Sequence, residues 1–232
     1  MKILKPRYWI PRARLSIATS SYPVYVSPHR AAECALSEQM AQENFSHFVE
    51  TSHDRVAALI EWLRLNFGVL ADYSPSGLLS IQKWLNLYGG LLVYNTKEMM
   101  SSYLRYDPKW EREFIGCNII YDIGTFIGNY LILKRPFLKW EMLKNTSFES
   151  FDKNCEYYNK PYLFGSYYPV GDPLMCSFDF CQNLKNNMYI GDSTYVGGDD
   201  IKLFIQNALY LASFTPENVP EIFGDVSNGP LE

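Results

Sequence analysis

The sequence predicts an α+β fold, with an N-terminal helical half packed on a C-terminal antiparallel or mixed sheet and a closing helix near the C-terminus. Two observations carry this reading. Helical-period segments dominate up to about residue 133, while short aromatic runs broken by Asn, Pro and Gly dominate afterwards, a segregated order that argues against a doubly wound sheet. The chain has 232 residues, 47% of them hydrophobic and 20% charged, which suffices for one core and excludes disorder by composition. A single domain over 1–232 is expected.

The elements follow in order. Residues 1–27 read as an extended arm, because Arg7-Tyr8-Trp9-Ile10 and Tyr22-Pro23-Val24-Tyr25-Val26 are aromatic and β-branched with proline punctuation. Ser27-Pro28 reads as a helix start, with a polar helix over 29–50 and a second after Ser52, where Val56, Leu59, Ile60, Leu63 and Phe67 recur at helical spacing before Gly68. Ser74-Pro75 opens a third helix, striped by Leu78, Ile81, Leu85 and Tyr88 and stopped at Gly89-Gly90. Asp107-Pro108 opens the longest, to about Leu133, apolar on two faces and therefore interior. Gly124 and Gly128 share one of its faces and invite close packing, or dimerisation if the helix lay in a membrane. Runs from Phe137, Lys160 and Leu174 to Phe180 read as strands. A last helix is expected from about Asp199 to Ser213, and an irregular acidic tail over 214–232.

Charge and cysteine narrow the function classes. Residues 1–30 hold six bases and no acid, so a formal net charge of -4 leaves the other 202 residues at -10. An acidic body argues against nucleic acid, whose phosphates need a Lys/Arg-rich face, and favours a basic protein partner. No run reaches the roughly 18 apolar residues of a membrane span, so no membrane partner is expected. Five scattered cysteines without a C-x-x-C pair suit free thiols and a cytoplasmic location.

Catalytic signatures are absent from the sequence. His47 and His53 are six apart, turned by about 240° on an ideal helix, and cannot share a metal as H-x-x-x-H does. No nucleophile motif or phosphate loop occurs. Neither a metal site nor a cofactor is expected. Gly197-Gly198-Asp199-Asp200 has carboxylates placed to hold a divalent ion, which keeps one alternative: a small metal-dependent hydrolase using Asp192, Asp199 and Asp200. A structural component of a larger assembly is a third reading.

One ordered set of residues resembles a known group. Leu70 through Leu78, reading Leu-Ala-Asp-Tyr-Ser-Pro-Ser-Gly-Leu, opens a helix ending near Trp84-Leu85; Ile123-Gly124-Thr125-Phe126-Ile127-Gly128-Asn129-Tyr130 and Pro136 through Trp140 follow. Over roughly residues 56–185 this is similar to uncharacterised bacterial proteins of the polymorphic-toxin immunity-protein kind. Ser76-Gly77 stands where that pattern offers Glu-Ser, and Asn129 where an acid is usual. The resemblance implies a non-catalytic protein that binds and neutralises a cognate bacterial toxin domain, with no carried-over interface residues. Aromatic and acidic character point to Tyr157, Tyr158, Tyr167, Tyr168, Asp192, Asp199 and Asp200 as partner-binding candidates. Oligomeric state is not legible.

Overall fold

Ser37 begins the first long helix by accepting the Met40 N–H on its side chain, and Gly68 ends it in the left-handed conformation at φ 67°. Between them Glu38–Phe67 is one uninterrupted helix (α2), preceded by α1, Trp9–Thr19. The computed structural model describes residues 3–31, 36–94, 96–104, 110–142, 159–165, 169–190 and 201–211. Among them five further helices follow: α3, Pro75–Leu92; α4, Thr96–Leu104; α5, Ile115–Lys134; α6, Pro173–Asn186; and α7, Ile201–Leu211. Three strands, β1 (Lys139–Met142), β2 (Pro161–Phe164) and β3 (Pro169–Gly171), form an antiparallel sheet in the order β1-β2-β3. The fold is thus mixed α+β with helix predominant, and α7 lies where a late helix was expected.

Several local expectations are corrected. The arm over 1–27 is not extended throughout: Pro6–Tyr8 form a 3₁₀ turn that runs into α1. Pro6 sits at a first position and Pro11 in the first turn of α1, where a missing N–H costs no intrahelical bond. The boundary placed at Ser52 does not exist, because its hydroxyl donates to the Val49 carbonyl and the helix continues. Gly89-Gly90 does not stop α3. A Cβ on Gly90 would lie 2.6 Å from the Lys185 backbone nitrogen, so these glycines let α3 approach α6 instead. Leu174 to Phe180 is helix, not strand: the Asp172 side chain accepts the Leu174 and Met175 N–H groups, and Pro173 fills the first position.

α5 is the axis of the core. Residues 116 to 131 of it are buried on every side, flanked by α2, α3, α6 and α7. Much of the aromatic surplus lies around this axis. Tyr103 stacks on Trp110 and Phe178 at centroid distances of 5.5 and 4.6 Å, and Trp62, Trp84, Phe67 and Tyr88 form a second cluster of edge and stacked contacts. Trp62 and Trp84 are core residues, as their helical stripes predict; Trp110 is also buried, but it precedes α5 and stands on no helix, because Arg112–Phe114 is a 3₁₀ turn and α5 begins only at Ile115.

Candidate functional site

Asn118, Asp122, Thr125 and Asn129 recur at intervals of four, three and four, which puts a buried polar stripe along one face of an otherwise apolar α5. Three of them fasten other segments of the chain. Asn118 Oδ1 accepts the Tyr25 N–H at 2.7 Å and its amide donates to the Trp110 carbonyl at 2.6 Å. Asn129 Oδ1 accepts the Trp140 indole N–H at 3.0 Å. Thr125 is satisfied within the helix by the Tyr121 carbonyl.

Asp122 is the charged member. Arg55 of α2 donates Nε to Oδ1 at 3.0 Å and Nη2 to Oδ2 at 2.5 Å, while the Tyr22 hydroxyl donates to Oδ2 at 2.6 Å. The remaining guanidinium nitrogen Nη1 donates to the Pro23 carbonyl at 3.0 Å. Burial pushes the carboxyl up to about 6 against the pull of Arg55 and Tyr22, and it is ionised at neutral pH. Burial and the neighbouring Asp122 charge drive the Tyr22 phenol well above its ordinary range, so it stays a donor. This arrangement is a staple joining α2, α5 and residues 22–25.

A second acid, the half-buried Asp172, lines a cavity of about 10 Å³ with Tyr103, Tyr121, Lys160, Pro161, Leu174 and Met175. That volume holds about one water molecule and no organic substrate. Burial raises the carboxyl to about 6, opposed by its two backbone N–H bonds and by Lys160. A carboxyl raised in the folded state contributes stability that is full below its unfolded value near 3.8 and is lost as pH rises through about 6. Asp172→Asn keeps a capping oxygen but removes the titration. The stability of the native protein relative to this variant is expected to fall by on the order of 2 kcal/mol between pH 4 and pH 7 in paired urea titrations. A difference constant across that range would show that Asp172 titrates normally.

The thiols are spent in the same way. Cys117 and Cys181 are free and buried, and burial raises both well above the ordinary range, which removes thiolate character. Cys176 is likewise outside any disulfide. Among the described residues no three His, Cys, Asp or Glu side chains converge as a metal site requires, and no helix is long and apolar enough to cross a membrane.

The surface has two distinctive faces. On α2, Glu43, Glu50, Asp54 and Glu61 are all exposed and occupy positions i, i+7, i+11 and i+18, within about 20° of one line on an ideal helix. They form an acidic ridge about 27 Å long at 1.5 Å per residue. His29 and Gln39 bond Glu43 and hold its carboxyl below the usual range; Arg64 does the same for Glu61. The other face belongs to α1, whose outer side is apolar and basic.

The partner-binding candidates Tyr157, Tyr158, Tyr167, Tyr168, Asp192, Asp199 and Asp200 all lie outside the described residues. So do Cys34, Cys155, the Asp107-Pro108 helix start and the tail over 214–232. The sequence reading missed the α5 stripe and the α2 ridge. Each has a legible signal, in the four-three-four polar spacing and in acids repeating at seven, four and seven. No family model matches the chain, and no curated protein or solved structure matches it either.

Proposed function

We propose that this chain is a cytoplasmic, non-catalytic protein-binding module that neutralises a basic toxin domain by covering it, as the immunity-type resemblance implies. The acidic ridge of α2 carries the reading. Four exposed carboxylates stand on one line of a helix fixed at both ends; Glu61 is paired by Arg64 and Glu43 bonded by His29, so Glu50 and Asp54 at the middle supply most of the negative charge offered to a basic partner, which favours fast and specific association. The use of the buried ionisable groups supports it further. Asp122, Arg55 and Tyr22 join segments, and Asp172 caps a helix. In this reading the helical half rests on the small sheet and α7 closes it, and Tyr157, Tyr158, Tyr167, Tyr168, Asp192, Asp199 and Asp200 remain partner-binding candidates on their aromatic and acidic character alone.

The test is protection in cells. Co-expression with the toxin encoded beside this gene should restore growth, and Glu50→Lys together with Asp54→Lys should abolish protection without lowering the melting temperature. Absence of protection by the unaltered protein would overturn the proposal. The metal-dependent hydrolase reading of Asp192, Asp199 and Asp200 makes a different prediction, a rise in melting temperature with Mg²⁺ or Mn²⁺.

A further inference from the structure

α1 turns one side to the core and leaves the other uncovered. Pro11, Leu15 and Ala18 are buried, while Trp9, Ile10 and Ile17 are 60%, 81% and 76% exposed. With Ala13 these residues span about 100° of the helix circumference, a continuous apolar crest. Arg12 lies on one border of the crest and Arg14 on the other. The crest is held in place: the Trp9 indole N–H donates to the Leu4 carbonyl at 3.1 Å, and Arg14 donates to the Asn66 carbonyl at the end of α2 and lies over the Phe67 ring.

The neighbours have the same character. α3 packs against α1 and exposes Leu79, Lys83 and Leu87 at successive intervals of four. Residues 188–190 pair with the N-terminal segment through Lys5 and Ile3 and leave Ile190 exposed. Residues 3–31, 75–92 and 184–190 contain no acid. Exposed aliphatic and indole groups flanked by bases, on described segments that hold no acid, match the headgroup region of an anionic bilayer, where rings and aliphatic chains enter the acyl boundary and guanidinium groups meet phosphates. An acidic protein groove would satisfy the bases but would not by itself bury a crest of Trp9, Ile10 and Ile17.

We propose that the outer face of α1, supported by α3, docks the protein peripherally on an anionic lipid surface, with Trp9, Ile10 and Ile17 inserted and Arg12 and Lys83 at the phosphates. The proposal departs from the expectation of no membrane partner, which rested on the lack of a spanning segment; a helix lying in the headgroup plane needs none. This inference is independent of toxin neutralisation, which uses a different helix.

The experiment is co-sedimentation of the full chain with vesicles of phosphatidylcholine containing about 30 mol% phosphatidylglycerol, beside vesicles of phosphatidylcholine alone. Pelleting with the anionic vesicles is expected, weakening as salt is raised. Ile10→Ser with Ile17→Ser is expected to weaken binding about tenfold or more, since both side chains would leave the acyl boundary. Both positions are exposed, so the thermal melt should be unchanged, and Arg12→Glu should also weaken binding. Equal pelleting with neutral and anionic vesicles, no pelleting at low salt, or full binding by the double variant would each overturn the proposal. A lipid-free dimer that the double variant dissolves, without vesicle binding, would instead assign the face to a second copy of the chain.

Discussion

Replacing Arg55 with methionine is expected to destabilise the protein by about 3–5 kcal/mol, because it strands the buried Asp122 carboxylate. For a chain of this size that lowers the melting temperature by about 10 °C. The large effect comes from geometry. Asp122 receives two guanidinium bonds and one phenolic bond in a site where its side chain is 1% exposed. Without Arg55 the carboxylate keeps only the Tyr22 hydroxyl, and burial then raises it further. The loss should therefore be larger at pH 8 than at pH 5, since a raised folded-state carboxyl favours the folded state only while it is protonated. Joint replacement by Arg55→Met and Asp122→Leu should cost clearly less than the two single changes added together, because no charge is left unpaired. A loss below about 1 kcal/mol for Arg55→Met, the size of an exposed pair, would show that the staple is solvated.

Gly124→Ala is expected to cost about 3 kcal/mol, near the upper end of ordinary overpacking. An added Cβ would lie 2.7 Å from the Leu174 Cα and 2.8 Å from the Pro173 carbonyl oxygen. Both contacts are backbone at the start of α6, so relief requires the whole helix to move. Gly128 differs in kind. Its Cβ would collide with the Trp140 ring, and the obstacle is a side chain. Trp140→Leu in the Gly128→Ala background should therefore recover part of the loss, whereas Trp140→Leu should recover nothing for Gly124→Ala. Denaturant midpoints check both. These results would assign the paired glycines to packing within one chain. An unchanged midpoint for Gly124→Ala would place α6 farther from α5.

Helix-start grammar explains what was legible in the sequence. Ser74-Pro75 announced α3, and the structure bears it out, with the Ser74 side chain accepting the Gly77 N–H. Asp172-Pro173 is the same grammar and announces α6, but the run from Leu174 to Phe180 alternates enough to read as a strand. The cap is the stronger signal, because it satisfies backbone N–H groups that the alternation does not. α1 was hidden by Pro6 and Pro11, which break a helix interior but are harmless in a first turn. Glycine misled in the other direction at Gly89-Gly90, since close approach of α6 is a tertiary fact with no local signature.

The functional surface was legible unevenly. The charge asymmetry of the first 30 residues is plain in the sequence, but its meaning depends on α1 being a helix whose apolar side faces outward. The α2 ridge became visible once Glu38–Phe67 was one helix, because a break at Ser52 separates Glu43 and Glu50 from Asp54 and Glu61. The aromatic and acidic character of Tyr157, Tyr158, Tyr167, Tyr168, Asp192, Asp199 and Asp200 is plain in the sequence, and all seven stand outside the described residues.

Isothermal titration of this protein with an inactive form of a toxin domain encoded next to its gene decides whether the α2 ridge receives a basic partner. The expected result is a one-to-one complex weakened by salt, and weakened about a hundredfold or more by Glu50→Lys with Asp54→Lys, as loss of two close charge pairs requires. No heat of binding, or an affinity indifferent to reversing both charges, would contradict it.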